Sequence, residues 1–288
     1  MGKQKVKNML GDRILLWVVF AIFVVYTISL LYPFLWLFLN SFKTKKEFFY
    51  NVNGLPGQGD FVATLENWKN SFQLSADRVS LPMMYFNSVF ITIASTFLAI
   101  MSSSATAYAL TKYQFKGRTA IYSFAVVMMM IPTMGSMAST YKMYNAIGLI
   151  NTYMGVFIFA LGGFGSYFLI LYAFYNNLSW TYAEAAQIDG AGHWRIYLTI
   201  MLPMAAPALF SVGILLAIGY WNDYFTIYMY APEKATIAYG VQRIADQNSK
   251  NLPQVFASLL FSMIPVLVLF ACFQRTIMAN TTVGGIKG

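Results

Sequence analysis

Six stretches of the chain contain no Asp, Glu, Lys or Arg: residues 14–42, 79–111, 119–141, 143–183, 196–222 and 251–274. An α-helix rises about 1.5 Å per residue, so about 20 residues cross a hydrocarbon layer of about 30 Å, and an ionised group inside that layer is strongly disfavoured. Each stretch is long enough for one crossing, so the pattern predicts six transmembrane helices. The longest, 143–183, begins with the polar, glycine-bearing run Tyr144 to Asn151, which leaves one helix from about 152 to 178. An all-α, polytopic membrane protein is the expected class, because a span must satisfy its own backbone hydrogen bonds.

Lys3, Lys5, Lys7 and Arg13 precede the first apolar stretch, as in the basic head of a secretion signal. The run from Ile14 to Leu39 nevertheless exceeds the roughly 7–15 residues of a signal core, and no small-residue cleavage site follows it. The first helix is therefore expected to stay as an anchor. Residues 1–13 form a short cytoplasmic segment on this reading, and 14–288 a single transmembrane domain.

Composition agrees with the pattern. The 288 residues are 58% hydrophobic and 10% charged, against roughly 45–50% and 25% in an ordinary soluble domain. Too few charges remain to coat a water-soluble globule. One Cys and one His cannot build a zinc site, a disulfide framework or an iron–sulfur cluster. The net charge of +9 is spread between apolar stretches with no aromatic-interleaved basic patch, which argues against nucleic acid.

Lys and Arg are retained on the cytoplasmic side of short loops. With the N-terminus inside, the internal segments 1–13, 111–119, 179–199 and 274–288 carry ten basic residues in 58, and the external segments 41–82, 142–152 and 229–253 carry nine in 78. The density favours cytoplasmic termini. The external loop 42–82, with Asn51-Val-Asn-Gly-Leu-Pro-Gly-Gln-Gly59, reads as an ordered segment with one short helix. Small residues in Ser102-Ser-Ser-Ala-Thr-Ala107 and Gly162-Gly-Phe-Gly-Ser166 read as close helix packing. Pro132, Pro203, Pro207 and Pro265 should kink or start helices.

The cytoplasmic loop 179–199 differs from the others. Ser179-Trp-Thr-Tyr-Ala-Glu184 offers capping hydroxyls and an acid near a helix N-terminus, predicting a short helix over about 181–189. Gly190 and Gly192 then allow a sharp turn back toward the fifth span. From composition alone this is a polar hinge. Its residues, however, resemble the hallmark of permease subunits of binding-protein-dependent ATP-binding-cassette importers: E-A-A, three residues, G, nine residues, I-x-L-P. Glu184, Ala185, Ala186, Gly190, Ile200, Leu202 and Pro203 occupy every fixed position. Within that family the chain is similar to the carbohydrate-uptake branch, the maltose-type second permease. The likeness extends through Asn87-Ser88, Ala107-Tyr-Ala-Leu-Thr-Lys-Tyr-Gln-Phe-Lys-Gly-Arg118, Gly148-Leu-Ile-Asn-Thr-Tyr153 and the tail Gly284-Gly-Ile-Lys-Gly288. Met278-Ala-Asn-Thr-Thr-Val283 departs from it by lacking a glycine–leucine pair.

The resemblance implies a type I importer permease in the bacterial cytoplasmic membrane, working with a homologous second permease, an ATPase dimer and an extracytoplasmic solute-binding protein. The chain has no G-x-x-x-x-G-K-[ST] loop, so ATP and Mg would be held by the ATPase and no cofactor by this chain. The loop would be a coupling helix, with Glu184, Ala185, Ala186, Asp189, Gly190 and Ala191 against the ATPase. Glu184 would pair with a base there, and Ala185 and Ala186 would permit close approach. External surfaces 42–82 and 229–253 would meet the binding protein, although ordinary solvated loops have the same sequence character.

A carbohydrate path is read from Tyr220-Trp-Asn-Asp-Tyr-Phe225, where Asp223 is the only acid in a span-like context. Tyr220, Trp221, Asn222 and Asp223 offer stacking faces and directional hydrogen bonds to a sugar; an interfacial aromatic belt ending in a solvated acid is the alternative. Asn87, Met128 and Tyr167 are further candidates for the same path. A gradient-driven secondary transporter is the rival function, usually marked by ion-coupling charges within the spans, which this pattern lacks. A membrane enzyme is less favoured, for want of paired carboxylates, metal-spaced ligands or a G-x-S-x-G elbow.

Overall fold

The computed structural model describes residues 10–73, 75–76, 79–131, 133–247 and 251–281. Lys3, Lys5 and Lys7, Pro132 and the tail Gly284 to Gly288 lie outside the described residues. In chain order the helices are α1 (Leu10–Ser41), α2 (Lys45–Tyr50), α3 (Glu66–Gln73), α4 (Leu81–Lys112), α5 (Arg118–Met130), α6 (Met137–Ala146), α7 (Tyr153–Ala160), α8 (Ser166–Asn177) and α9 (Thr181–Ile188). They continue as α10 (His193–Ile196), α11 (Leu202–Met204), α12 (Ala206–Asn222), α13 (Phe225–Tyr230), α14 (Ile237–Gln247) and α15 (Leu252–Thr281). A π-helical turn, Tyr197–Met201, separates α10 from α11. One two-stranded hairpin, Ser75–Ala76 with Val79–Ser80, pairs antiparallel with Ser75 opposite Ser80.

Two compact units result, one made of residues up to 71 with 248–261, the other of 72–247 with the remainder of α15. In the first, α1 shows lipid-type chemistry: apolar side chains such as Leu16, Trp17, Phe23 and Leu31 are exposed all round it. Such a surface needs a bilayer or a partner to cover it. The loop after α1 is ordered by buried polar groups. Asn67 donates from Nδ2 to the carbonyls of Ser41 (2.8 Å) and Lys43 (2.7 Å), and the Lys43 ammonium donates to Asn51 O at 2.6 Å. Trp68 stacks on Phe42 and meets Phe261 edge-on. The segment 42–82 thus contains two short helices, α2 and α3, and the paired strands Ser75–Ala76 and Val79–Ser80, where one helix was expected. Thr44 caps α2 through Glu47 N–H, a local signal with its own nucleating power.

The second unit is built on α4, which packs against α7, α8, α12 and α14. Its core joins Tyr108 and Leu110 of α4, Phe168, Leu171 and Tyr175 of α8, Ala183 of α9, and Ile196, Tyr197 and Met201 beyond it. Among the described residues three helical segments are long and apolar enough to cross a membrane: Arg13–Ser41, Leu81–Lys112 and Leu252–Gln274. A fourth candidate is the pair His193–Met204 and Ala206–Asn222, bent by 75°. The remaining charge-free stretches carry interrupted helices. The single helix expected over 152–178 is divided into α7 and α8 by Leu161 to Gly165, where Gly163 and Gly165 take φ of +63° and +152°. Those glycines, read from sequence as packing residues, are backbone breaks that L side chains rarely tolerate. Likewise 119–141 is divided after Ile131, the C-cap of α5. Of the expected prolines, Pro203 and Pro207 stand in the first turns of α11 and α12, and α15 runs through Pro265.

Candidate functional site

The loop after α8 forms a short helix with a defined stop. Ser179 Oγ accepts the Thr181 N–H at 3.3 Å, and α9 follows over Thr181–Ile188, with Glu184 in its first turn where the macrodipole favours an acid. At the other end Gly190 N–H donates to Gln187 O at 3.0 Å and Ala191 N–H to Ala186 O at 2.9 Å. This pair of bonds is a Schellman stop, with Asp189 as C-cap and Gly190 in the left-handed region at φ +80°. The spacing from Ala186 to Gly190 is therefore the spacing from the third-last helical residue to its left-handed terminator. Gly192, expected to share that task, has φ −74°, which any residue adopts.

The two faces of α9 differ in chemistry. Ala183 is buried, and Ala186 and Ala191 are half-buried against the core of their own unit. Glu184 and Ala185 are exposed, as are Asp189 and Gly190. Ile188 is 86% exposed and Trp194, just past the turn, 75%. Glu184 and Ile188 are four residues apart, hence on one face. Among the described residues the Glu184 carboxylate makes no hydrogen bond or ion pair, while its backbone N–H donates to Trp180 O at 3.1 Å. The segment thus presents an exposed acid and two large exposed apolar side chains, surface chemistry of the kind found at interaction sites.

Beyond the turn, α10 leads into the π turn, in which Leu202 N–H reaches back to Tyr197 O. Pro203, having no N–H, follows directly. Tyr197 is buried; its hydroxyl donates to Ser104 Oγ at 3.0 Å, and Ser104 Oγ lies 2.8 Å from Tyr175 OH. Tyr113 OH lies 3.1 Å from His193 Nδ1, and Lys112 Nζ donates to Leu178 O. Sequence reasoning missed this cluster, and no local signal announces it.

The residues read as a carbohydrate path are dispersed. Asn87 is buried with both ends of its carboxamide engaged: Nδ2 donates to Ala235 O at 3.0 Å, and Oδ1 accepts Tyr153 OH at 2.8 Å. Met128 is exposed on α5. Tyr167, Tyr220 and Asp223 are half-buried, and Tyr167 and Asp223 both act electrostatically on Tyr220. Trp221, nearly buried, lines a cavity of about 200 Å³ with Thr92 and Pro265. Asn222 donates to Ile218 O. Asp223 terminates α12, and its Oδ1 accepts Thr226 N–H at 3.0 Å, capping α13. A larger cavity, about 1030 Å³, is lined by Tyr141, Asn151, Tyr228, Glu233, Tyr239 and Arg243; Glu233, Tyr239 and Arg243 fall within the segment 229–253 that was expected to meet a binding protein.

Residues 96–281 match the family described as binding-protein-dependent transport system inner membrane component. A diacetylchitobiose uptake system permease protein of Streptomyces coelicolor is 27% identical over 93% of this chain and 87% of its own length. A trehalose/maltose transport system permease protein of Thermococcus litoralis is 30% identical over 90% and 92%. In structure, the chain is similar to a subunit of a bacterial ABC transporter that imports alginate, with a TM-score of 0.75 and 22% identity over 93% of this chain and 98% of that one.

Proposed function

The chain belongs to the family of binding-protein-dependent transport system inner membrane components, and from that premise we propose that it is the carbohydrate permease subunit of an ATP-driven importer. It is a multi-pass membrane protein of all-α permease fold. The substrate class rests on relatives that span nearly the whole chain, a diacetylchitobiose permease and a trehalose/maltose permease; a short oligosaccharide fits both. The sugar would be delivered by an extracytoplasmic binding protein at loops 42–82 and 229–253 and pass between this chain and a homologous second permease.

The observation that carries the coupling reading is the outward face of α9, where Glu184 and Ile188 stand exposed on a helix stopped by Gly190, with Trp194 exposed just past the turn. In this reading an ATPase dimer docks there from the cytoplasm, binds the ATP and Mg, and moves the loop as it closes. Both termini are then cytoplasmic, in the bacterial inner membrane. Loading and nucleotide bias one two-state equilibrium from opposite sides of the membrane, so each must affect the other's affinity.

The test is reconstitution of the complete importer in vesicles with its binding protein and a panel of short oligosaccharides. Uptake that requires both ATP on the side of the membrane that bears α9 and loaded binding protein on the opposite side supports the reading. Uptake driven by an ion gradient without ATP overturns it.

A further inference from the structure

Resting on the ATP-coupled reading above, we propose that the buried hydroxyl cluster of Ser104, Tyr175 and Tyr197, with Tyr113 at its edge, is the linkage that makes the coupling loop move with the spans. Ser104 and Tyr197 are positioning residues for transport.

Three separate segments meet at one serine hydroxyl. Ser104 belongs to α4, Tyr175 to α8 and Tyr197 to the arm leaving the loop, and all three are buried. Tyr197 OH donates to Ser104 Oγ, which is also bonded to Tyr175 OH. Tyr108 stacks on Tyr197 with ring centroids 4.9 Å apart. Breaking either bond leaves a buried hydroxyl without that partner. The three segments therefore shift together.

Tyr113 extends the grip to both arms of the loop. It stands at the C-cap of α4, with its ring edge-on to Trp180 at 6.0 Å before α9 and to His193 at 5.3 Å after it. The loop is thus fastened at both ends to the same end of α4.

Past Tyr197 the backbone changes character. The π turn Tyr197–Met201, Pro203 and the break at Ala205 lead to a 75° bend into α12. Wide turns and prolines are where helices bend. A push on α9 is carried rigidly to Tyr197 and then relieved as a change of angle at 197–205, which reorients α12 against α4 and α8. Removing the linkage leaves the Glu184, Ile188 and Trp194 docking face in place. Hydrolysis then continues while the spans no longer follow it.

The variant Tyr197→Phe removes one oxygen and keeps the ring stack. In the complete importer in vesicles, with loaded binding protein, it should keep ATP hydrolysis within about twofold while uptake falls about tenfold, a coupling loss in the usual range. Ser104→Ala should raise the ATP spent per sugar similarly, and the double variant should be no worse than Ser104→Ala, because both remove the same bond. Uptake and hydrolysis that fall in proportion, or that both stay at the wild-type level, overturn the proposal. So does failure of both single variants to assemble, which makes the cluster purely structural. Absence of ATP-driven uptake in the unaltered importer is a separate result, and it falls on the proposed function instead.

Discussion

Ala186 O accepts the backbone N–H of Ala191 at 2.9 Å, and that one bond explains why a glycine stands between them at 190. The bond closes only if the residue before Ala191 turns left-handed, and Gly190 does so at φ +80°. The family motif at this point is thus a helix followed by its terminator.

Gly190→Val follows from this geometry. Nothing lies within 4 Å of the position a Cβ would take, so the penalty is backbone strain alone, about 1–3 kcal/mol. The chain should still insert, but transport should be uncoupled. Gly192→Ala is the control: its φ is −74° and its surroundings are open, so uptake should stay near wild type. Comparison of uptake at equal membrane content checks both.

Ile188→Asp tests the docking face. Its side chain is 86% exposed, so stability of the isolated chain should change by no more than about 0.5 kcal/mol. If Ile188 is an interface anchor, affinity for the ATPase should fall by about 2 kcal/mol, or roughly thirtyfold. Co-purification measured against thermal unfolding of the chain alone separates the two effects.

Asn87→Leu should act through folding. The substitution leaves Ala235 O and the Tyr153 hydroxyl without their partner, each about 1–3 kcal/mol if buried and unsatisfied. A lower melting temperature with an unchanged apparent affinity for sugar is the expected pair of results. A normal melting temperature with weakened sugar affinity would put Asn87 in the path.

Lys43 gives a pH signature in the loop after α1. Burial pushes its pKa below the ordinary 10.5, partly opposed by Glu47. Between the lowered value and 10.5 the unfolded chain binds more protons than the folded one, so stability should rise with pH through that window. In Lys43→Met that rise should disappear, and stability should be lower because Asn51 O and Val52 O lose their donor. Thermal unfolding in detergent over alkaline pH measures it.

What was legible in the sequence was local. The helix over Thr181–Ile188, its acid in the first turn and its stop at Gly190 are short-range rules written in adjacent residues. The breaks at Leu161 to Gly165 were misread because Gly162-Gly-Phe-Gly is equally a packing motif in a membrane helix, and only φ distinguishes the two. The Ser104, Tyr175 and Tyr197 cluster was invisible because its hydrogen bonds join residues 71 and 93 positions apart. Asp223 carried two readings in sequence, and its bond to Thr226 N–H supplies a capping role that one-dimensional pattern could not separate from a ligand contact.

The most direct measurement is gentle detergent purification of the tagged chain from its native host, with mass identification of what accompanies it and an ATPase assay, repeated for Gly190→Val. A second permease and an active ATPase recovered with the unaltered chain, and the ATPase lost with the variant, is the result this account predicts. A chain that purifies alone or as a homo-oligomer without ATPase activity would contradict it.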